Sequence, residues 1–287
     1  MTNDITTEEW VAHSPTTEVY HRMWSPPPGV QLRATLVFVH GVGEHVCRYD
    51  HVFTPFALAG IKVRAFDERG FGQTVKRNGI LGHNEGYDTV MADVDVCADR
   101  VKVEGVPHFV MGHSMGGGVI LQYALRNQNR GDIRGVIASA PLIGLGALTA
   151  VSIPEYYGVR VLATVFSTLA ISNPVDANNL SRDPVVVQDY TTDPLVHSYT
   201  SMGTARDIVL NGENLSNSAH NFKLPVLVVC GDADRIISYK DCREWFVLAG
   251  SSDKSWKSYD GFYHELHNEP EKEQVIQLYI DWILERV

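Results

Sequence analysis

Short apolar runs at residues 35–39, 63–66, 108–111, 136–138 and 225–230 punctuate the chain, each bounded by turn residues. Runs of this length without polar alternation mark strands buried on both faces. Helical patterns lie between them. Met91, Val94, Cys97, Ala98 and Val101, and later Ile276, Tyr279, Trp282 and Ile283, recur at three- or four-residue spacing. Strands alternating with helices predict an α/β fold whose mostly parallel central sheet is covered by helices on both faces. The alternation stops between residues 142 and 222, a stretch rich in Leu, Val, Tyr and Asn-Pro or Asp-Pro turns with no clear strand. It reads as an insertion. The expected organisation is a first core part over 1–141, an insertion over 142–222 and a second core part over 223–287.

The length of 287 residues suffices for one large core, and 44% hydrophobic with 20% charged residues excludes a disordered or fibrous chain. Lys plus Arg number 24 against 34 Asp plus Glu. The resulting charge of −10, with no basic run, argues against a nucleic-acid partner. Cys47, Cys97, Cys230 and Cys242 are scattered without CxxC spacing, so neither a zinc site nor a disulfide framework is signalled and a reducing, cytoplasmic setting is expected. The first 15 residues lack the basic and apolar regions of a signal peptide. Residues 135–153 carry no charge, but Pro141 and interspersed Ser, Thr and Gly make them a short strand followed by an apolar surface element rather than a membrane span.

In open parallel sheets ligands gather at the carboxyl ends of the strands, so the residues after each apolar run are where chemistry is sought. Gly112-His113-Ser114-Met115-Gly116 follows one run and opens a helical pattern, the context of a nucleophile elbow. A serine hydroxyl needs a histidine to take its proton and a carboxylate to hold that histidine. Asp234 follows the last apolar run and His264 comes thirty positions later, completing the order Ser, Asp, His. Asp232 is the rival acid on the same loop. His40-Gly41-Val42-Gly43 follows the first run, and the N–H groups of Val42 and Met115 are the expected oxyanion donors. The same glycines fail the dinucleotide fingerprint, no P-loop occurs, and His264-Glu265-Leu266-His267 is one residue short of H-E-x-x-H. No metal and no cofactor are expected.

These segments resemble the monoacylglycerol lipase family of α/β-hydrolases. The resemblance rests on His40-Gly41-Val42-Gly43-Glu44-His45 with Arg48-Tyr49, Phe66-Asp67-Glu68-Arg69-Gly70-Phe71-Gly72, Gly112 to Gly117, Ala233-Asp234-Arg235 and Tyr263-His264-Glu265-Leu266-His267. It implies Ser114 as nucleophile, Asp234 as orienting acid, His264 as base, and Val42 and Met115 as the oxyanion hole. It also implies that residues 142–222 form a cap with an apolar acyl-chain channel and a membrane-touching lid. Tyr190, Glu44, Arg48 and His267 match polar residues near the glycerol group. The implied reaction is hydrolysis of a monoacylglycerol to fatty acid and glycerol. Contact with membranes or lipid droplets through the cap stays open, as do oligomeric state and acyl-chain preference.

Other readings of single residues stand beside these. Asp67 and Arg69 are expected to brace the loop after the second run, and His113 to point away from the site. Arg48 also reads as a surface charge. Val161, Leu162, Val165, Phe166 and Leu169 have helical spacing that serves core packing as well as lipid contact. A broader carboxylesterase or lysophospholipase would use the same three residues, and a non-catalytic ligand receptor could share the fold.

Overall fold

The computed structural model describes residues 5–77, 79–146, 158, 161–172 and 174–287. Its strands are β1 (Thr6–Ser14), β2 (Thr17–Trp24), β3 (Ala34–Val39), β4 (Ile61–Phe66), β5 (His108–His113), β6 (Gly135–Ser139), β7 (Ala170–Ser172), β8 (Tyr199–Ser201), β9 (Val226–Gly231) and β10 (Lys254–Tyr259). Eight of them form one sheet in the order β1-β2-β4-β3-β5-β6-β9-β10. From β4 to β10 every neighbouring pair is parallel, and only the β1–β2 hairpin is added antiparallel at one edge. The five central strands are buried at every position, because helices cover both faces. The exception is half-buried Lys62.

The helices are α1 (Asp50–Leu58), α2 (Gly72–Arg77), α3 (Tyr87–Val101), α4 (Met115–Asn127), α5 (Pro184–Thr192), α6 (Met202–Ser218), α7 (Tyr239–Leu248) and α8 (Lys272–Leu284). The first ten residues of α4 are all buried, as a helix sandwiched between sheet and insertion requires. Strand order turns back at β3, with β4 on one side and β5 on the other, which opens a crevice at the carboxyl ends of these strands.

The hairpin is fastened to the sheet by a buried chain of hydrogen bonds. Arg64 Nε donates to His21 Nδ1 at 2.9 Å, the His21 and His13 Nε2 atoms lie 2.7 Å apart, and His13 Nδ1 reaches Asp93 at 2.7 Å. One set of neutral tautomers satisfies every link: His21 donates to His13, and His13 donates to Asp93. Arg69 also grips Asp93 through Nε at 2.8 Å.

Between β6 and β9 the described part of the insertion contributes α5, α6 and a two-stranded antiparallel ribbon of β7 and β8, two strands that hydrophobic patterning does not reveal because each is three residues long. Asp183 caps α5 with Pro184 at its first turn, and Ser201 caps α6 by accepting from Thr204 N. The insertion is bolted to the core: His45 Nε2 meets Asp193 at 2.8 Å, Arg182 Nε donates to Glu269 at 2.9 Å, and His197 N donates to the Gly43 carbonyl at 3.0 Å. Val161, Leu162, Val165, Phe166 and Leu169 are exposed, which removes the core-packing reading of their spacing. Of the uncharged stretch 135–153, residues 135–139 are strand β6, and the part from 147 on lies outside the described residues. No described helix is long and apolar enough to cross a membrane. All four cysteines are free thiols.

Candidate active site

Ser114 sits between the end of β5 and the first residue of α4 with φ +54° and ψ −120°, backbone space that a residue with a Cβ seldom occupies. The turn is held because Ser114 N donates to Ser139 O at 3.0 Å and its carbonyl accepts from Leu142 N at 2.8 Å. Flanking glycines permit it. A Cβ on Gly112 would collide with the Gly116 carbonyl, and one on Gly116 with the carbonyls of Val39 and His40.

The Ser114 hydroxyl lies 2.9 Å from His264 Nε2, and His264 Nδ1 lies 2.7 Å from Asp234 Oδ2. Asp234 Oδ1 is fixed by the N–H groups of Ile236 and Ile237 at 2.8 and 3.1 Å. The carboxylate therefore presents its other oxygen to the imidazole. Asp232 faces elsewhere, accepting from Gly261 N at 2.7 Å. Burial works to lower the pKa of His264, but the Asp234 charge and hydrogen bond overcome it, with Glu265 and Glu44 adding, so the group titrates above its ordinary value.

His40 shapes the loop beside the serine. Its Nδ1–H donates to Gly41 O at 2.7 Å while Nε2 accepts from Glu68 N at 2.9 Å, and burial pushes its pKa down to about 4, so it stays a neutral brace. Glu44 Oε1 accepts from Gly41 N at 2.6 Å and from the Tyr49 hydroxyl at 2.8 Å. Val42 then lines the cavity at Ser114, and neither its N–H nor that of Met115 has a partner among the described residues. Met115 N opens helix α4, where the helix dipole favours negative charge. Asp67 takes Val46 N at 2.8 Å and Gln73 N at 2.6 Å, tying together the loops after β3 and β4.

The described residues leave about 20 Å³ of space at Ser114, room for one water. Val175, Leu180, Tyr190 and Ile236 close it. The acyl-chain channel expected from the resemblance belongs to the cap, part of which, residues 147–157, 159, 160 and 173, lies outside the described residues. Tyr190 lies on the cavity wall, and no hydrogen bond of its hydroxyl occurs among the described residues. Burial, with Glu265 nearby, raises its pKa. Glu44 is on the wall too, but its oxygens already hold Gly41, Tyr49 and Arg48. Arg48 is no surface charge: its side chain is 10% exposed and bonded to Glu44 and Glu265.

Two histidines depart from expectation. His113 does not point away: its ring packs 4.8 Å from that of His264 and lines the cavity, because the loop carrying His264 folds over the elbow. His267 is not on the cavity wall. It stacks on Tyr49 at 4.9 Å and meets His113 edge-on, placed behind His264 by the short helical turn at Leu266–Asn268. Burial lowers the pKa of both, that of His113 to about 3. Glu265, which sequence reasoning left without a role, lines the cavity, and its only signal was its place beside His264. Among the described residues no group of three or more His, Cys, Asp or Glu has metal-binding geometry.

A parallel sheet with a serine on a strained turn at its switch point, and an insertion after β6, defines the class as α/β-hydrolases. Residues 30–271 match the family model described as serine aminopeptidase, S33. A monoacylglycerol lipase of Mycolicibacterium smegmatis is 33% identical over 93% of this chain and 92% of its own length. The solved monoacylglycerol lipase of Paleococcus ferrophilus superposes with a TM-score of 0.85 at 30% identity, covering 94% of this chain and all of that one. An uncharacterized abhydrolase domain-containing protein of Dictyostelium discoideum is 36% identical over 93% of this chain, which spans only 28% of that relative's length. The chain belongs to the monoacylglycerol lipase family of α/β-hydrolases.

Proposed function

We propose that the chain hydrolyses the ester bond of monoacylglycerols through an acyl intermediate on Ser114. The Ser114 oxygen attacks the ester carbonyl as its proton passes to His264 Nε2, and the developing oxyanion takes the N–H groups of Val42 and Met115. Collapse expels glycerol, protonated from His264. A water then gives its proton to His264 and attacks the acyl carbon, the Ser114 oxygen–acyl bond breaks, and His264 returns the proton to the serine oxygen as the fatty acid leaves. The observation that carries this reading is the continuous contact from the Ser114 hydroxyl through His264 to Asp234, at 2.9 and 2.7 Å, around a serine held at positive φ. A receptor would have no use for that strain.

The head group falls to Tyr190, which lines the cavity and whose hydroxyl has no hydrogen-bond partner among the described residues, leaving it to bond a glycerol hydroxyl. Glu44, Arg48 and His267 enter the reading as supports of the wall, since their polar groups are engaged or turned away. Residues 142–222 act as the cap, and an acyl chain enters when cap residues such as Val175 and Leu180 move aside. The exposed Val161, Leu162, Val165, Phe166 and Leu169 supply a peripheral contact with lipid surfaces. The test is hydrolysis of matched mono-, di- and triacylglycerols and the methyl ester of one acid in detergent. Monoacylglycerol is expected to be fastest, with Tyr190→Phe narrowing its lead over the methyl ester. Equal rates on all four would replace the lipase with a broader carboxylesterase.

A further inference from the structure

The two loops that meet at Ser114 come from distant strands: residues 41–44 follow β3, and residues 264–268 follow β10. One guanidinium joins them. Arg48 Nη1 donates to Glu44 Oε2 at 2.7 Å and to Glu265 Oε1 at 2.8 Å, while Nη2 donates to Glu265 Oε2 at 2.8 Å. On one side, the other Glu44 oxygen holds Gly41 N, the peptide group immediately before Val42. On the other, Glu265 is covalently next to His264, accepts from Asn268 Nδ2 at 2.7 Å, and donates its N–H to the Leu180 carbonyl at 2.8 Å. The ring of Tyr190 lies over the guanidinium at 4.9 Å.

All three ionic side chains are at most 10% exposed. Burying one cation between two carboxylates costs more free energy than apolar packing of equal volume, and the best-attested return for such a cluster is registry. Here registry has a chemical meaning. Oxyanion donors and base act on the same substrate atoms at once, and a displacement of about 1 Å between them costs on the order of 100-fold in rate. The cluster also holds two carboxylates against one guanidinium beside an imidazole that gains a proton in the reaction. The charged and titratable groups around that imidazole are Asp234, Glu265, Glu44 and His113.

We propose that Arg48 is a positioning residue that registers the oxyanion loop against the base loop, with Glu44 and Glu265 as its two anchorages, and that the cluster serves the acyl-transfer step rather than the choice of alcohol. The proposal rests on the serine-hydrolase reading given above. Its contrast with head-group recognition is sharp, because a positioning role affects every ester alike.

The experiment compares Arg48→Lys, Arg48→Met and Glu265→Gln with the parent chain. Readouts are kcat and KM for a monoacylglycerol and the methyl ester of the same acid, and the rate at which a fluorophosphonate lacking any glycerol moiety labels Ser114. Expected for Arg48→Met and Glu265→Gln is a fall in kcat of about 10- to 100-fold on both esters with KM within about twofold, and an equal slowing of labelling. Arg48→Lys recovers part of the loss. The double variant Arg48→Met/Glu265→Gln loses little more than either alone, because both break one latch. Loss confined to the glyceryl ester, a rise in KM alone, or undiminished labelling overturns the proposal. Should Arg48→Met fail to fold, Arg48→Lys and Glu265→Gln decide the question by the same readouts. Failure of the parent itself to be labelled at Ser114 would instead remove the serine-hydrolase reading beneath it.

Discussion

At the scale of single residues, Ser114 is held in a conformation that costs on the order of 1–3 kcal/mol, and its neighbours maintain it. Ser114→Ala should lower kcat by about 10⁴- to 10⁶-fold and leave the melting temperature the same or higher. Asp234→Asn should cost about 10⁴-fold by upsetting the tautomer of His264, whereas Asp232→Asn should be far milder, its carboxylate accepting from Gly261 N and not touching His264 among the described residues. If Asp232→Asn is the more damaging in steady-state assays of two folded variants, the acid is misassigned. Protonated His264 cannot accept the serine proton, so kcat/KM should fall as pH drops through a pKa above 6.5, the direction in which Asp234 moves it. An acid limb centred below 6.5 would contradict the placement of that charge. Ser114 and Asp234 were legible in the sequence because each comes just after an apolar run, and His264 because it completes the order Ser, Asp, His thirty positions later. His113 and His267 were not, because where a loop side chain lands depends on how two distant loops pack, which spacing does not encode.

At the scale of elements, the elbow and α4 depend on close backbone approach. Gly116→Ala would push a methyl group into the carbonyls of Val39 and His40 and should destabilise by at least about 1–3 kcal/mol, measured as a lower urea midpoint with activity lost in parallel. An Ala variant of unchanged stability would show that β3 and α4 are not so closely apposed. The five central strands were legible because burial on both faces makes them continuous apolar runs. The hairpin strands β1 and β2 and the edge strand β10 were not. In β10, Lys254, Ser255, Lys257 and Ser258 are polar because an edge strand stays partly in water, and such alternation competes with turn and loop patterns. The ribbon of β7 and β8 is too short to carry any period.

At the scale of the whole molecule, buried neutral histidines link stability to pH. Burial lowers His40 to about 4, His108 and His113 to about 3, and His21, within the Arg64 to Asp93 chain, further still. Each has a folded pKa below its unfolded value near 6.5, so its contribution is complete above that value and is lost as pH falls, by up to about 1.4 kcal/mol per unit. Asp67, raised to about 6, and the raised Glu68 and His264 act in the opposite sense, but they are outweighed once His51 and His267 join the lowered group. The urea midpoint should therefore be lower at pH 5 than at pH 7.5, with little change in slope. A flat profile would mean these histidines reach water.

The central claim is that ester hydrolysis runs through Ser114. It is tested most directly by treating the protein with a fluorophosphonate, mapping the label by peptide mass spectrometry and following monoacylglycerol hydrolysis in the same sample. One phosphonyl group per chain, located on Ser114, with activity lost in proportion to labelling, is the expected result. Activity that persists in fully labelled protein, or a label on another residue, would contradict it.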